Sequence, residues 1–271
     1  MFVPVVVYNN KSGKDERLLK SFNEPSWNNP VVRYINKDGS DVIPRKDRVW
    51  TTGGTAQRMT AALYKYKRAA PKYLEYVVRE ESIKTETAEF AMYCYWSGEV
   101  KLGSLKGVHS TRSGWRNGLE VVSVKYDPTV IKYETLLGAA QKFDCATAVF
   151  THTDAQQRIA TAAVGGKAKR VSGQMRDAKA SDQKYQLLQT PLRYLPMTEM
   201  QATKVNSGLG TRANVKELLS PRQQQILNFI GQVQKKDKTA LAGMTPPTDS
   251  GALAKYQQQL LAKIHSVLGK K

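Results

Sequence analysis

Between residues 85 and 165 the apolar pattern changes repeat in an order that few folds can accommodate. Glu89–Tyr93 alternates in the manner of a strand, and Trp96–Lys106 takes the wider spacing of a helix. Val108–Ser113 and Leu119–Tyr126 return to strand alternation. Tyr133–Phe143 then reads as a helix, Ala146–His152 as a strand and Asp154–Val164 as a closing helix.

A βαββαβ order is that of a split βαβ unit. It predicts an α/β (α+β) protein whose central part is a ferredoxin-like two-layer sandwich. In that sheet the spatial order is fourth, first, third, second strand, with antiparallel neighbours. The end of the first strand therefore lies beside the starts of the third and fourth. Those positions are Cys94, Glu120 and Cys145, so three chemically capable residues are expected at one sheet edge.

The chain has only two cysteines and three histidines, with no CxxC or CxxxC pair. That argues against a zinc site of ordinary spacing and against a disulfide-stapled scaffold. No metal, flavin or nicotinamide site is predicted, so no cofactor is expected. Cys94 follows an apolar strand and precedes a helix, where free N–H groups and the positive helix end favour thiolate. The bland alternative is a cysteine acting as a small buried hydrophobe.

The neighbours of Cys94 bear on that choice. Tyr93-Cys94-Tyr95-Trp96-Ser97 resembles the Gly-Cys-Phe-Trp-Gly signature of the A-type peptide methionine sulfoxide reductases. Gly107-Val108-His109-Ser110-Thr111-Arg112-Ser113-Gly114-Trp115 resembles that family's Gly-Val-x-x-Thr-x-x-Gly-Tyr. Glu120-Val121-Val122-Ser123-Val124-Lys125-Tyr126-Asp127-Pro128 is similar to its Glu-Val-Val-x-Val-x-Tyr-Asp-Pro stretch. The likeness covers residues 85–165, with a weaker echo at Gln183-Lys184-Tyr185.

The resemblance implies thiol-based reduction of methionine sulfoxide in proteins, or of small thioether sulfoxides. It makes Cys94 the nucleophile, Glu120 the acid that protonates the departing oxygen, and Tyr95 with Trp96 the pocket for the substrate methyl group. A sulfoxide oxygen leaves poorly unless protonated, which is why a carboxyl is required there. The alternatives are a solvent-facing Glu120 and ordinary core packing for Trp96. There are departures too. The family's stretch before the last strand is shortened here to Phe143-Asp144-Cys145-Ala146-Thr147. Cys145 then occupies the place of a catalytic tyrosine, and Trp115 replaces another tyrosine whose hydroxyl helps bind the oxygen. Cys145 is expected close enough to Cys94 to form a disulfide and resolve it, with an external thiol reductant such as thioredoxin supplying electrons. The alternative implied by the same departures is a catalytically altered binding or scaffold protein.

Residues 1–84 read as a strand at Phe2–Asn9, a helix at Lys14–Phe22, a strand Val31–Ile35 led by Pro30, a turn at Lys37-Asp38-Gly39 into Asp41–Pro44, and a helix at Thr55–Lys67. This order resembles the C-terminal part of a thioredoxin fold, with Pro30 in Trp27-Asn28-Asn29-Pro30 as the counterpart of its cis-proline. The first strand and the CxxC helix of that fold are missing, so docking or scaffolding is expected of a thioredoxin-like remnant. The apolar opening lacks a basic leader and a small-residue cleavage site. It implies a cytoplasmic chain, or an exported one if a leader was removed ahead of residue 1. No stretch reaches the ~18–20 apolar residues that a membrane helix needs, so no span is expected.

The methionine sulfoxide reductase-like segment is placed at 85–195, and 196–271 as a basic helical extension with helices at Leu218–Val233 and Ala252–Leu268. Lys235–Ser250, with Pro246-Pro247, reads as the loop between them. The net charge is +19, and residues 165–271 hold 18 Lys+Arg against 6 Asp+Glu, hence +12. That asymmetry fits either a solvated basic face or a polyanionic partner such as nucleic acid.

Overall fold

The computed structural model describes residues 2–26, 30–82 and 84–269, and mixes helices with sheet. The chain divides into two compact units, residues 1–70 and 71–271. In the first, α1 (Lys14–Ser21) precedes an antiparallel hairpin of β1 (Val31–Ile35) and β2 (Asp41–Asp47), and α2 (Thr52–Lys65) follows. The hairpin turns through Gly39 at φ +85°, a conformation glycine adopts without strain. Asp38 Oδ1 accepts from the Ser40 amide at 3.0 Å and secures the same turn. The Glu24 carboxylate takes Arg33 Nη1 at 2.9 Å and Arg45 Nε at 2.6 Å, which pins the residues after α1 to both strands.

Phe2–Asn9, expected as a buried strand, forms none, and Val3, Val5 and Val6 are exposed. Among the described residues the two-stranded hairpin takes no third partner, and Pro4 lacks an amide that a ladder would need. Trp27–Asn29, part of the expected cis-proline motif, lie outside the described residues; Pro30 immediately precedes β1.

The second unit opens with α3 (Lys72–Ser82) and continues through β3 (Glu86–Ala91), α4 (Tyr95–Gly103), β4 (Val108–Arg116) and β5 (Leu119–Tyr126). Then come α5 (Tyr133–Lys142), β6 (Ala148–Thr151), α6 (Asp154–Val164), β7 (Ala168–Arg170) and β8 (Arg176–Asp177). The last elements are α7 (Tyr185–Leu188), α8 (Glu199–Gly210), α9 (Pro221–Lys236) and α10 (Leu253–Leu268). One six-stranded sheet runs β7-β6-β3-β5-β4-β8, antiparallel except at β6–β7.

Strand alternation sorts this sheet into two faces. Ala88, Phe90, Val122, Val124 and Val149 point into the core beneath α4 and α5, with Leu102, Leu136 and Leu137. Ala91, Val121, Ala148 and Phe150 point the other way, covered by Val171 and Met175. The β4–β5 hairpin closes through Asn117 at φ +53° and Gly118 at φ +76°, with Arg116 opposite Leu119. Asn-Gly is the sequence such a two-residue turn prefers.

The C-terminal helices enclose a second core of Leu195, Ile226, Ile230, Val233, Leu260 and Ile264. α9 starts in a capping box, with Ser220 and Gln223 each satisfying the other's backbone amide. α8, which the apolar pattern does not announce, lies against α4. Gly103 permits that approach, since a Cβ there would sit 2.5 Å from Ser207 Oγ. Among the described residues no helix is long and apolar enough to cross a membrane.

Candidate redox site

β3 leaves its ladder just before the cysteine. Met92 N still donates to Glu120 O at 3.0 Å, and Thr147 N donates to Ala91 O at 2.9 Å. Cys94 then takes extended angles, φ −142° and ψ 110°, as the N-cap of α4. Its carbonyl accepts from Gly98 N at 3.1 Å, while its half-buried thiol makes no capping bond. A free amide at the helix start needs an acceptor. Glu120 supplies it: Oε2 accepts from Tyr95 N at 2.7 Å. The carboxylate and the thiol are thus fixed to the same helix end.

Three aromatic rings surround this junction. Tyr95 is buried and meets Trp96 edge-on at 6.0 Å and Trp115 edge-on at 5.8 Å. Trp115 is paired with Glu120 across β4–β5, and the Arg176 guanidinium lies 5.9 Å from its ring. Trp96 is half-buried and stacks on Tyr185 with centroids 4.1 Å apart. Its Nε1 is buried and has no acceptor among the described residues. Burial, then the charge and hydrogen bond of Asp182, push the Tyr95 hydroxyl up to about 12, with Glu120 and Cys94 adding to the rise.

Cys145 arrives by a helix C-terminus. Cys145 N donates to Ala140 O at 2.8 Å and Asp144 N to Gln141 O at 3.1 Å, with Asp144 left-handed at φ +56°. That is a Schellman closure, which turns the residue after the left-handed one inward. Cys145 is buried, and its Sγ donates to Phe143 O at 3.4 Å. Burial raises the thiol above its ordinary 9.0; the charge of Lys101 opposes this, while Asp144 and Cys94 add to it. Both cysteines are free thiols. Ala91 pairs with Ala148, so Cys94 (91 + 3) and Cys145 (148 − 3) leave the same end of the β3–β6 ladder.

Cys94, Tyr95, Trp96, Trp115 and Glu120 therefore share one neighbourhood, and Cys145 lies at the same sheet end. Sequence reasoning missed Asp182 and Tyr185 as members. Their signal was the faint Gln183-Lys184-Tyr185 likeness, and the structure explains how they are held. The Gln183 side chain accepts from Ser113 N at 3.0 Å and donates to Ser113 O at 2.7 Å. Lys184 N and Nζ each donate to the buried Glu99 carboxylate at 2.7 Å. No group of three or more His, Cys, Asp or Glu able to hold a metal occurs among the described residues.

No family model matches the chain. Part of it is similar to curated proteins. It is 37% identical over 70 residues to the peptide methionine sulfoxide reductase MsrA of Methanococcus maripaludis, covering 20% of this chain and 45% of that protein. It is 31% identical over 121 residues to the MsrA of Rhodospirillum centenum, covering 33% and 55%. Against the peptide methionine sulfoxide reductase of Drosophila melanogaster it is 33% identical over 73 residues, covering 22% and 30%. The chain spans about half or less of the length of these curated relatives. What it carries is a domain similar to MsrA.

Proposed function

We propose that this chain is a thiol-dependent reductase of methionine sulfoxide or a related thioether sulfoxide, acting through Cys94. The reading assigns residues 85–195 to a ferredoxin-like sandwich of methionine sulfoxide reductase type, and the β6-β3-β5-β4 order supports it. The Cys94 sulfur attacks the sulfoxide sulfur while Glu120 protonates the oxygen. The oxygen ends on Cys94 as sulfenic acid and the thioether leaves, so the thiol is oxidised as the sulfoxide is reduced. Tyr95, Trp96 and Trp115 wall the methyl group. Cys145 then displaces the oxygen as water, and the resulting Cys94–Cys145 disulfide is reduced by an external dithiol such as thioredoxin.

The observation that carries this reading is the Glu120 carboxylate held 2.7 Å from the amide that follows Cys94. It supports the reading by tying the Glu120 carboxyl to the helix start that Cys94 caps, beside the Tyr95 ring. Residues 1–84, which hold no cysteine, would dock or scaffold, and 196–271 form the basic extension. Turnover of the two sulfoxide epimers with a thioredoxin-type reductant tests the reading. Reduction of one epimer is expected, and reduction of neither contradicts it.

A second reading rests on the +12 carried by residues 165–271. In it the chain is a binding protein whose extension recruits a polyanion, and affinity for DNA falls steeply with salt. Salt-insensitive binding, or none at low salt, removes that reading.

A further inference from the structure

In a chain of 42 Lys+Arg an unpaired cation says little by itself, and its neighbours say more. Residues 48–70 hold five Lys+Arg and no Asp or Glu. They include Tyr64-Lys65-Tyr66-Lys67-Arg68, where phenol rings and cations alternate. All five of these residues are exposed, Tyr64 by 62% and Tyr66 by 55%. The first unit therefore leaves two aromatic rings in water among three cations.

The end of α2 displays this run in a defined conformation. Lys67 N donates to Tyr64 O at 2.9 Å and Arg68 N to Leu63 O at 3.0 Å, the two bonds of a Schellman closure. Lys67 takes its left-handed position at φ +55°, which glycine fills without strain and lysine does not. The Tyr66 hydroxyl donates to Asn36 Oδ1, so that ring is tied to the β1–β2 turn, where exposed Lys37 adds a fourth cation. The carboxylates of residues 1–70 are engaged elsewhere. Glu24 and Asp41 hold Arg33, Glu24 and Asp47 hold Arg45, and Glu16 holds Lys20. Asp15 accepts from Tyr8 N, and Asp38 from Ser40 N. Lys37, Lys65, Lys67 and Arg68 form no ion pair among the described residues.

Cations alone would suit any polyanion, and the rings narrow the choice. A duplex keeps its base faces stacked inside. A single strand offers them to aromatic side chains while its phosphates meet Lys and Arg. A lipid surface would call for aliphatic side chains beside the basic ones, but Ala62 is buried and Leu63 half-buried.

We propose that Tyr64–Arg68 is a binding site for single-stranded nucleic acid, in which Tyr64 and Tyr66 stack on bases and Lys65, Lys67 and Arg68 hold phosphates. The inference is independent of the reductase reading. It places polyanion binding on the first unit rather than on residues 165–271.

Fluorescence anisotropy of the full-length chain tests this with labelled oligothymidylate of about 20 nucleotides, longer than the ~4–16 that one such surface covers. The single strand should bind roughly tenfold more tightly than its duplex with oligoadenylate, whose base faces are hidden. Tyr64→Ala with Tyr66→Ala should weaken binding about tenfold or more, the loss of stacking on two rings. Tyr64→Phe with Tyr66→Phe should stay within about threefold of the parent, because a phenyl face still stacks. Lys65→Gln, Lys67→Gln and Arg68→Gln together should flatten the salt slope by about two, at ~0.7 per phosphate contact on a single strand. All five positions are exposed, and unchanged helical circular dichroism checks that each variant is folded. A parent that ignores the single strand, binds duplex as tightly, or binds phosphatidylserine vesicles more tightly overturns the proposal. So does a phenylalanine variant as weak as the alanine one, or a salt slope that the glutamines leave unchanged. Undiminished binding by the alanine variant overturns it too, and would return polyanion binding to the extension.

Discussion

Glu120 and Cys145 are one residue each, yet their surroundings make different demands on them. Glu120 accepts the backbone amide that follows Cys94, so Glu120→Gln keeps most of the geometry and removes the transferable proton. Turnover should fall ~10²–10⁴-fold, the usual loss for one general acid. A loss under about threefold would reduce Glu120 to a helix cap. Cys145 is the opposite case: burial holds its proton on above the ordinary 9.0. Thiolate is the attacking form, so closure of the Cys94–Cys145 disulfide should be slow at neutral pH. Its rate should climb by about tenfold per pH unit and continue climbing past 9.0, where an exposed thiol would level off. Stopped-flow trapping of the sulfenic acid across pH measures this, and a plateau near neutrality would contradict it.

Elements were legible where one face is apolar and the other is not. β5 and α6 match their expected ranges, and the Asn117-Gly118 turn is readable from two letters. α8 was not legible because its buried face carries Gln201, Thr203, Asn206 and Ser207, polar residues that mask a helical repeat. Phe2–Asn9 misled for the reverse reason: an apolar β-branched run needs a partner strand, and none adjoins it among the described residues. Within the site, the cluster at the start of α4 was visible because a short motif and a strand order both pointed there. Asp182 stayed hidden because the strap holding it obeys no repeat.

The α4–α8 joint gives a test at this scale. Lys204 donates to Gly103 O at 2.7 Å and Leu105 O at 2.8 Å, and burial, with Arg79 nearby, lowers it to about 8. Between about 8 and the ordinary 10.5 the unfolded chain binds more protons than the folded one. This lysine therefore adds stability as pH rises through that window. The urea midpoint difference between wild type and Lys204→Met should shift in favour of wild type from pH 8 to 10; an unchanged difference would remove the linkage.

At the scale of the whole molecule, the sheet core and the C-terminal helical core belong to one compact unit. They meet where α8 packs on α4, the helix that begins beside Cys94. Removing the α9 cap with Ser220→Ala should cost ~1 kcal/mol. If the unit unfolds as one, that loss appears equally in helical circular dichroism and in the fluorescence of Trp96 and Trp115. Separate transitions would make the extension an independent domain. Oxidation at Cys94 is the claim on which the functional account depends. The most direct measurement is mass spectrometry of Cys94 after one equivalent of methionine sulfoxide is added without reductant. The account predicts one oxygen or a Cys94–Cys145 disulfide, released methionine in equal amount, and neither product from Cys94→Ser. Unmodified Cys94 with no methionine released, or release undiminished in Cys94→Ser, would contradict it.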